Sequence, residues 1–217
     1  MPPVILLFAK APLPGRVKTR LQPVLSPTES AELHASFVGD ALERLLGFNS
    51  IADLELHLDQ ETIAWTDFNV VRKLQAEGDL GSRMCHAARQ ALSEGREQAL
   101  ILGSDSPTLP LEYIKTLLDS PADIAFGPTD DGGYYAVKFR RLPAGLFENI
   151  EWSTERALEQ SISSAKHLGM SVGHGPAWYD IDSPADLVRL VTEDTPPRTT
   201  AWLKNHHFLV DPPPSDI

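Results

Sequence analysis

The sequence predicts an α/β protein, a three-layer sandwich with a mostly parallel central sheet and helices on both faces. Two short apolar runs carry that expectation, Val4-Ile5-Leu6-Leu7-Phe8-Ala9 and Ala99-Leu100-Ile101-Leu102-Gly103. Strands covered on both faces read as continuous hydrophobic stretches of this length. The third observation is order, since strand-like and helix-like segments alternate along most of the 217 residues.

Taken in order, Val4 to Ala9 is the first strand and residues 10–27 form a long loop. Thr28 to Leu46 then places Leu33, Phe37, Val38, Ala41, Leu42 and Leu45 at helical spacing. Ile51 to Leu58 alternates as a strand does, and Asn69 to Leu74 forms another before the turn-like Glu77-Gly78-Asp79-Leu80-Gly81. Arg83 to Leu92 reads as a helix, Ala99 to Gly103 as a buried strand, and Leu111 to Leu118 as a helix. Asp123 to Gly127 and Tyr134 to Phe139 are strands, Thr154 to Leu168 a helix, Met170 to Val172 a short strand and Asp182 to Val191 a closing helix. At the start of that last helix Ser183 is the cap, Pro184 sits in the first turn and Asp186 lies at the positive end of the dipole. Residues 1–195 are expected to form one domain, and the Pro-rich residues 196–217 a loosely attached tail.

Thirty acidic against nineteen basic residues give a net charge of −11, which argues against nucleic-acid binding and against attraction to an anionic membrane. No stretch approaches the roughly 18 apolar residues of a membrane span. The single cysteine, Cys85, excludes an intrachain disulfide framework and fits a reducing compartment, so a cytoplasmic location is expected. Zinc is not expected, because the seven histidines lack metal-ligand spacing and Cys85 has no cysteine partner.

Against this acidic background, residues 1–28 hold Lys10, Arg16, Lys18 and Arg20 and no acid at all. Pro12 and Pro14 stiffen the loop and Gly15 permits close approach of a ligand. Arginine clamps phosphate oxygens and lysine adds a point charge, so the loop suits a di- or triphosphate. It departs from a P-loop, which needs glycine where Ala11 and Val17 stand. A metal such as Mg²⁺ (or Mn²⁺) takes one or two carboxylates plus substrate phosphates. Asp105, just past a buried strand, is the first candidate; Asp180 and Asp182 alternate about Ile181, and either is the second. Asp130-Asp131-Gly132-Gly133 reads either as a hairpin turn or as a place where Asp131 contacts an acceptor hydroxyl. Trp152 suits either stacking on a base or sugar or a packing role.

Five stretches taken together carry a resemblance: Phe8-Ala9-Lys10-Ala11-Pro12 through Leu21, Glu77 to Met84, Gly103-Ser104-Asp105-Ser106-Pro107, Gly127 to Tyr134, and Asp180-Ile181-Asp182-Ser183-Pro184. In this order they resemble a largely uncharacterised bacterial family of glycosyltransferase-like proteins with the nucleotide-diphospho-sugar transferase (GT-A) fold. The resemblance runs from about residue 4 to 190 and extends distantly to molybdenum cofactor and phospholactate guanylyltransferases. It implies a nucleotide-binding N-terminal half and an acceptor-binding C-terminal half. Lys10, Gly15, Arg16, Lys18 and Arg20 would hold phosphates, Gly81 and its neighbours would lie near the base or ribose, and Asp105 would hold the metal. Ser104-Asp105-Ser106 stands where sugar transferases of this fold carry Asp-x-Asp.

The expected function is therefore a Mg²⁺-dependent transferase with Lys18, Asp105 and Asp131 as its catalytic residues. It would use a nucleotide or nucleotide-diphospho-sugar donor and a small-molecule acceptor, and either sugar or nucleotidyl transfer fits. A non-catalytic nucleotide-sensing or partner-binding module that kept the fold is the competing reading. Base, sugar, acceptor and oligomeric state stay open at this stage.

Overall fold

In a computed structural model that describes residues 1–208, the first strand, β1 (Val4–Ala9), lies near the middle of a seven-stranded sheet. All six of its residues are buried, and they serve two cores by simple alternation. Ile5 and Leu7 pack on one face with Val38, Leu42 and Leu45 of α1 (Pro27–Leu46) and Ile114, Leu117 and Leu118 of α3 (Leu111–Asp119). Val4, Leu6 and Phe8 face the other way, against Met84, Ala87 and Ala88 of α2 (Leu80–Ser93) and Ala165 of α4 (Ala157–His167). Burying a large aliphatic side chain contributes about 1.5–3 kcal/mol, so a strand that is apolar on both faces goes to the centre of the sandwich.

The remaining strands are β2 (Asp53–Leu58), β3 (Val71–Leu74), β4 (Ala99–Gly103), β5 (Ile124–Pro128), β6 (Tyr134–Phe139) and β7 (Val172–His174). They lie in the order β3-β2-β1-β4-β6-β5-β7. Strands β1 to β4 pair in parallel, as do β5 and β7, whereas β6 runs antiparallel to both of its neighbours. The predicted mostly parallel α/β sheet is thus correct. After β3 the chain crosses to the other side of β1 to form β4, which makes the carboxyl ends of β1 and β4 a topological switch point.

Helix α1 begins with a reciprocal capping box, in which Ser26 Oγ accepts from the Glu29 amide while the Glu29 carboxylate accepts from the Ser26 amide. Helix α2 starts three residues earlier than expected because Asp79 caps it, accepting from the Ser82 amide at 2.8 Å. Helix α5 (Pro184–Val191) carries the expected cap, with Ser183 and Asp186 bonded to each other's backbone amides.

The expectation of a loose tail from residue 196 is corrected. Residues Pro197–Asn205 form a helix, α6, in which Pro197 occupies the first turn, where its missing amide costs nothing. The Asp40 carboxylate of α1 caps it, accepting from the Arg198 and Thr199 amides at 2.9 and 2.8 Å and from Thr199 Oγ1 at 2.7 Å. Trp202 and Leu203 then close a third apolar cluster with Leu21, Leu33, Phe37, Ile181 and Leu187. The stretch 209–217, with its prolines, lies outside the described residues. No helix among the described residues is long and apolar enough to cross a membrane.

Candidate active site at the switch point of the sheet

The carboxyl ends of β1 and β4 open into a cleft of about 460 Å³ lined by Lys10, Lys18, Arg20, His34, Gln75, Arg83, Ser104, Asp105 and Asp182, among others. Its position follows from topology, because neighbouring connections leave the sheet in opposite directions there. The basic loop enters from β1, pinned at Ala11, whose amide donates to Asp59 Oδ1 at the end of β2 (2.7 Å). Val17 and Leu21 are buried on either side of Lys18 and anchor the loop by its apolar residues. Gly15, at φ +77°, forms the turn; no atom lies within 4 Å of where its Cβ would be, so the glycine serves backbone conformation there.

Lys18 is the centre of the arrangement. Its side chain is only 3% exposed, and Nζ lies 2.6 Å from Asp105 Oδ1, 3.1 Å from Asp182 Oδ1 and 2.7 Å from the Ile181 carbonyl oxygen. Burial alone would lower the lysine's pKa, but the Asp105 and Asp182 charges outweigh it and hold the ammonium above its ordinary value. Burial would likewise raise the Asp105 carboxyl; the Lys18 charge, with smaller help from His34 and Lys10, keeps it below the usual range. Both carboxylates keep an open side toward the cleft, being 43% and 41% exposed. The β4 loop and the 180–183 segment are also tied directly, the Ile181 amide donating to the Asp105 carbonyl at 2.9 Å.

The structure thus brings together Lys10, Lys18, Arg20, Asp105 and Asp182. Lys10 and Arg20 stand exposed at the rim, Arg20 Nη1 lying 3.8 Å from Asp182 Oδ2. Arg16 is exposed as well but does not line the cleft.

Three of the predicted residues do not line this cleft. Gly81 is buried in α2 beside the cleft residue Leu80, and a Cβ there would meet Trp152 Cζ2 at 2.7 Å and Phe147 Cβ at 2.9 Å. Trp152 accordingly takes its packing role, edge-on to Tyr134 and Phe147. Asp131 lies at the correct edge of the sheet, in the β5–β6 hairpin, but its carboxylate turns back to accept from Thr129 Oγ1 and from the Gly133 amide at 3.1 Å. It does not line the cleft. Gly132 in that hairpin, at φ +84°, is obligatory, since its Cβ would sit 2.1 Å from the Glu155 carbonyl oxygen.

Asp180, the third, separates from Asp182. It accepts from Ser106 Oγ and does not line the cleft. Burial, and then the charge of Asp105, push its carboxyl up to about 7. A raised pKa means that folding favours the protonated acid, so this group's contribution is present at low pH and lost as pH rises through about 7. Asp180→Asn, which keeps an acceptor for Ser106, is therefore expected to stabilise the protein at pH 8 by about 2 kcal/mol and to do little at pH 4. Urea unfolding at the two pH values checks this; an equal effect at both would contradict it.

Sequence reasoning missed His34, Gln75, Arg83 and Ser104 as cleft residues. His34 is 3% exposed, with Nε2 3.0 Å from the Lys10 carbonyl oxygen. A carbonyl only accepts, so Nε2 donates. Nδ1 has no partner among the described residues and lies 3.9 Å from Asp105 Oδ1. Burial holds the imidazole below its ordinary pKa, leaving it neutral. The available signal was a histidine next to Leu33, on the apolar stripe of α1.

The donor set fits a hard divalent cation carried with phosphate. Asp105 and Asp182 supply two carboxylates, the number such ions commonly take beside phosphate oxygens. Among the described residues no group of three or more His, Cys, Asp or Glu could hold a metal, so the ligand's own oxygens would complete the coordination.

An α/β sheet of this order, with a cationic cleft over two carboxylates at its switch point, defines a protein of the nucleotide-diphospho-sugar transferase fold. A crystal structure from Desulfovibrio desulfuricans G20, provisionally assigned as a nucleotide-diphospho-sugar transferase, superposes with a TM-score of 0.85 at 30% identity, covering 96% of this chain and 97% of that one. Residues 49–154 match the family described as "Uncharacterized protein conserved in bacteria (DUF2064)". The chain belongs to this family. It is also similar to two proteins named 2-phospho-L-lactate guanylyltransferase. The one from Methanothermobacter thermautotrophicus is 25% identical over 90% of this chain and 87% of its own length. The one from Methanosarcina mazei is 28% identical over 80% of each.

Proposed function

We propose that the protein is a Mg²⁺-dependent nucleotidyltransferase that moves a nucleoside monophosphate from a nucleoside triphosphate to a small phosphorylated acceptor. The observation that carries this reading is the grouping of Lys10, Lys18, Arg20 and Arg83 around Asp105 and Asp182 in one cleft. A triphosphate, and the pyrophosphate that leaves it, need several cations spread over two or three phosphates. A single carboxylate after β4, in place of Asp-x-Asp, and the guanylyltransferase relatives support the same choice.

Lys10, Arg20 and Arg83 would hold the phosphates, while Asp105 and Asp182 would hold Mg²⁺. The ion would neutralise charge that builds on the phosphate oxygens. An oxygen of the acceptor phosphate bonds to the α-phosphorus, the bond from that phosphorus to the bridging oxygen breaks, and its electron pair leaves on pyrophosphate. An acceptor phosphate is already ionised near neutral pH, which suits a cleft that Asp131 does not reach.

Nucleoside triphosphates and nucleotide sugars, compared by thermal shift with and without Mg²⁺, should show the triphosphates stabilising more. Those that bind are then incubated with a panel of phosphorylated hydroxy acids and sugar phosphates. Pyrophosphate release is expected. Nucleoside diphosphate release would replace this reading with sugar transfer, and binding without either product across the panel would favour a non-catalytic sensor.

A further inference from the structure

We infer that Lys18 is the resident cation of the Asp105–Asp182 site, holding the two carboxylates together in the metal-free protein and yielding them when a metal-bound nucleotide enters, so that metal and nucleotide bind as a coupled pair. The inference rests on the metal site proposed above and concerns what occupies that site first.

Three features distinguish Lys18 from an ordinary phosphate-gripping lysine. Its ammonium has three donors, and the structure supplies three acceptors, Asp105, Asp182 and the Ile181 carbonyl, at 2.6, 3.1 and 2.7 Å. It is therefore fully satisfied with no ligand present, and it is 3% exposed where Arg20 is 69% exposed. Its backbone sits at φ 48°, ψ 37°, a left-handed conformation that a residue with a Cβ adopts at a cost and keeps only when its surroundings impose it. Its neighbours Val17 and Leu21 are buried and anchor the loop on either side of it. Finally, the carboxylates come from segments 77 residues apart in sequence, Asp105 after β4 and Asp182 before α5, and would repel each other without a cation between them.

A divalent ion arriving alone takes from the ammonium the two anions it is paired with, leaving the neutral Ile181 carbonyl at 2.7 Å and the Phe37 ring at 5.7 Å from Nζ. A divalent ion arriving with phosphates brings such an anion within the same cleft. The difference between the two cases is a coupling between metal and nucleotide, and by linkage each strengthens the other.

Mn²⁺, a spin-active hard cation, tests this without reference to turnover. Titrations followed by electron paramagnetic resonance should show at least about tenfold tighter binding of Mn²⁺ alone to Lys18→Met than to the wild type, and wild-type-like weak binding to Lys18→Arg. Thermal melts of the wild type with Mn²⁺ and inorganic triphosphate should show more stabilisation by the pair than the sum of the two alone, and additivity in Lys18→Met. If Lys18→Met does not fold, acetylation footprinting of the wild type serves instead. Lys18 should resist labelling in the metal-free protein, label at saturating Mn²⁺, and be protected again when triphosphate is added. Equal Mn²⁺ affinity in wild type and Lys18→Met, or labelling of Lys18 that ignores Mn²⁺, overturns the inference. Binding of Mn²⁺ with triphosphate that is lost in Asp105→Asn, but unaffected by Lys18→Met, overturns it while leaving the metal site standing. Mn²⁺ binding that Asp105→Asn does not weaken removes the metal site and this inference together.

Discussion

Replacing Asp105 with asparagine is expected to abolish Mg²⁺-dependent nucleotide binding and to lower nucleotidyl transfer by well over about 100-fold. Loss of a residue that merely orients a metal ligand costs about 10–100-fold, and Asp105 would be a ligand itself. The substitution also disturbs the resting protein, because it removes the charge 2.6 Å from a buried ammonium. Removing one partner of a buried ion pair costs about 3–5 kcal/mol; with Asp182 and the Ile181 carbonyl still in place, and Asp105 itself 43% exposed, a loss of about 2 kcal/mol is expected. Pyrophosphate release and urea unfolding of the same variant separate the two effects. Unchanged Mg²⁺-dependent binding and activity would reject the metal role of Asp105.

Asp40→Ala is expected to destabilise the protein by about 3 kcal/mol or more, although Asp40 lies outside the cleft. Its carboxylate is 1% exposed and accepts three hydrogen bonds at the start of α6, so its removal leaves the Arg198 and Thr199 donors without partners. The damage reaches the site through the third apolar cluster, where Trp202 and Leu203 of α6 support Leu21 of the basic loop and Ile181 beside Asp182. Asp40→Asn, which keeps an acceptor, should lose about half as much. Equilibrium unfolding measures both, and a loss under about 1 kcal/mol in Asp40→Ala would show that α6 docks by its apolar residues alone.

Much of the sheet was legible because buried parallel strands leave a mark that depends on few neighbours. Val4 to Ala9 and Ala99 to Gly103 are apolar at nearly every position, and both are where that pattern places them. The direction of β6 was not legible, since alternation marks a strand without naming its partner. Helix α6 was hidden by Pro196-Pro197, which reads as a breaker although proline at a first turn starts a helix equally well. Asp131 and Gly81 do not line the cleft. Each has a local reason for its residue type, a side chain closing its own turn and a close approach to Trp152, and a local reason looks the same in sequence as a ligand site.

The sequence by itself determined the fold class, the concentration of positive charge after β1 and the carboxylate after β4, because these depend on residue types and short-range order. Tertiary structure alone decided what Lys18 does. In the sequence it is one of four cations in a loop without acids, where a solvated, phosphate-facing role is the natural expectation. Folding brings it to Asp182, 164 residues away, and buries its ammonium beside Asp105. Charge attraction over a few ångströms, strengthened by burial, fixes its partners, and no local pattern encodes that distance.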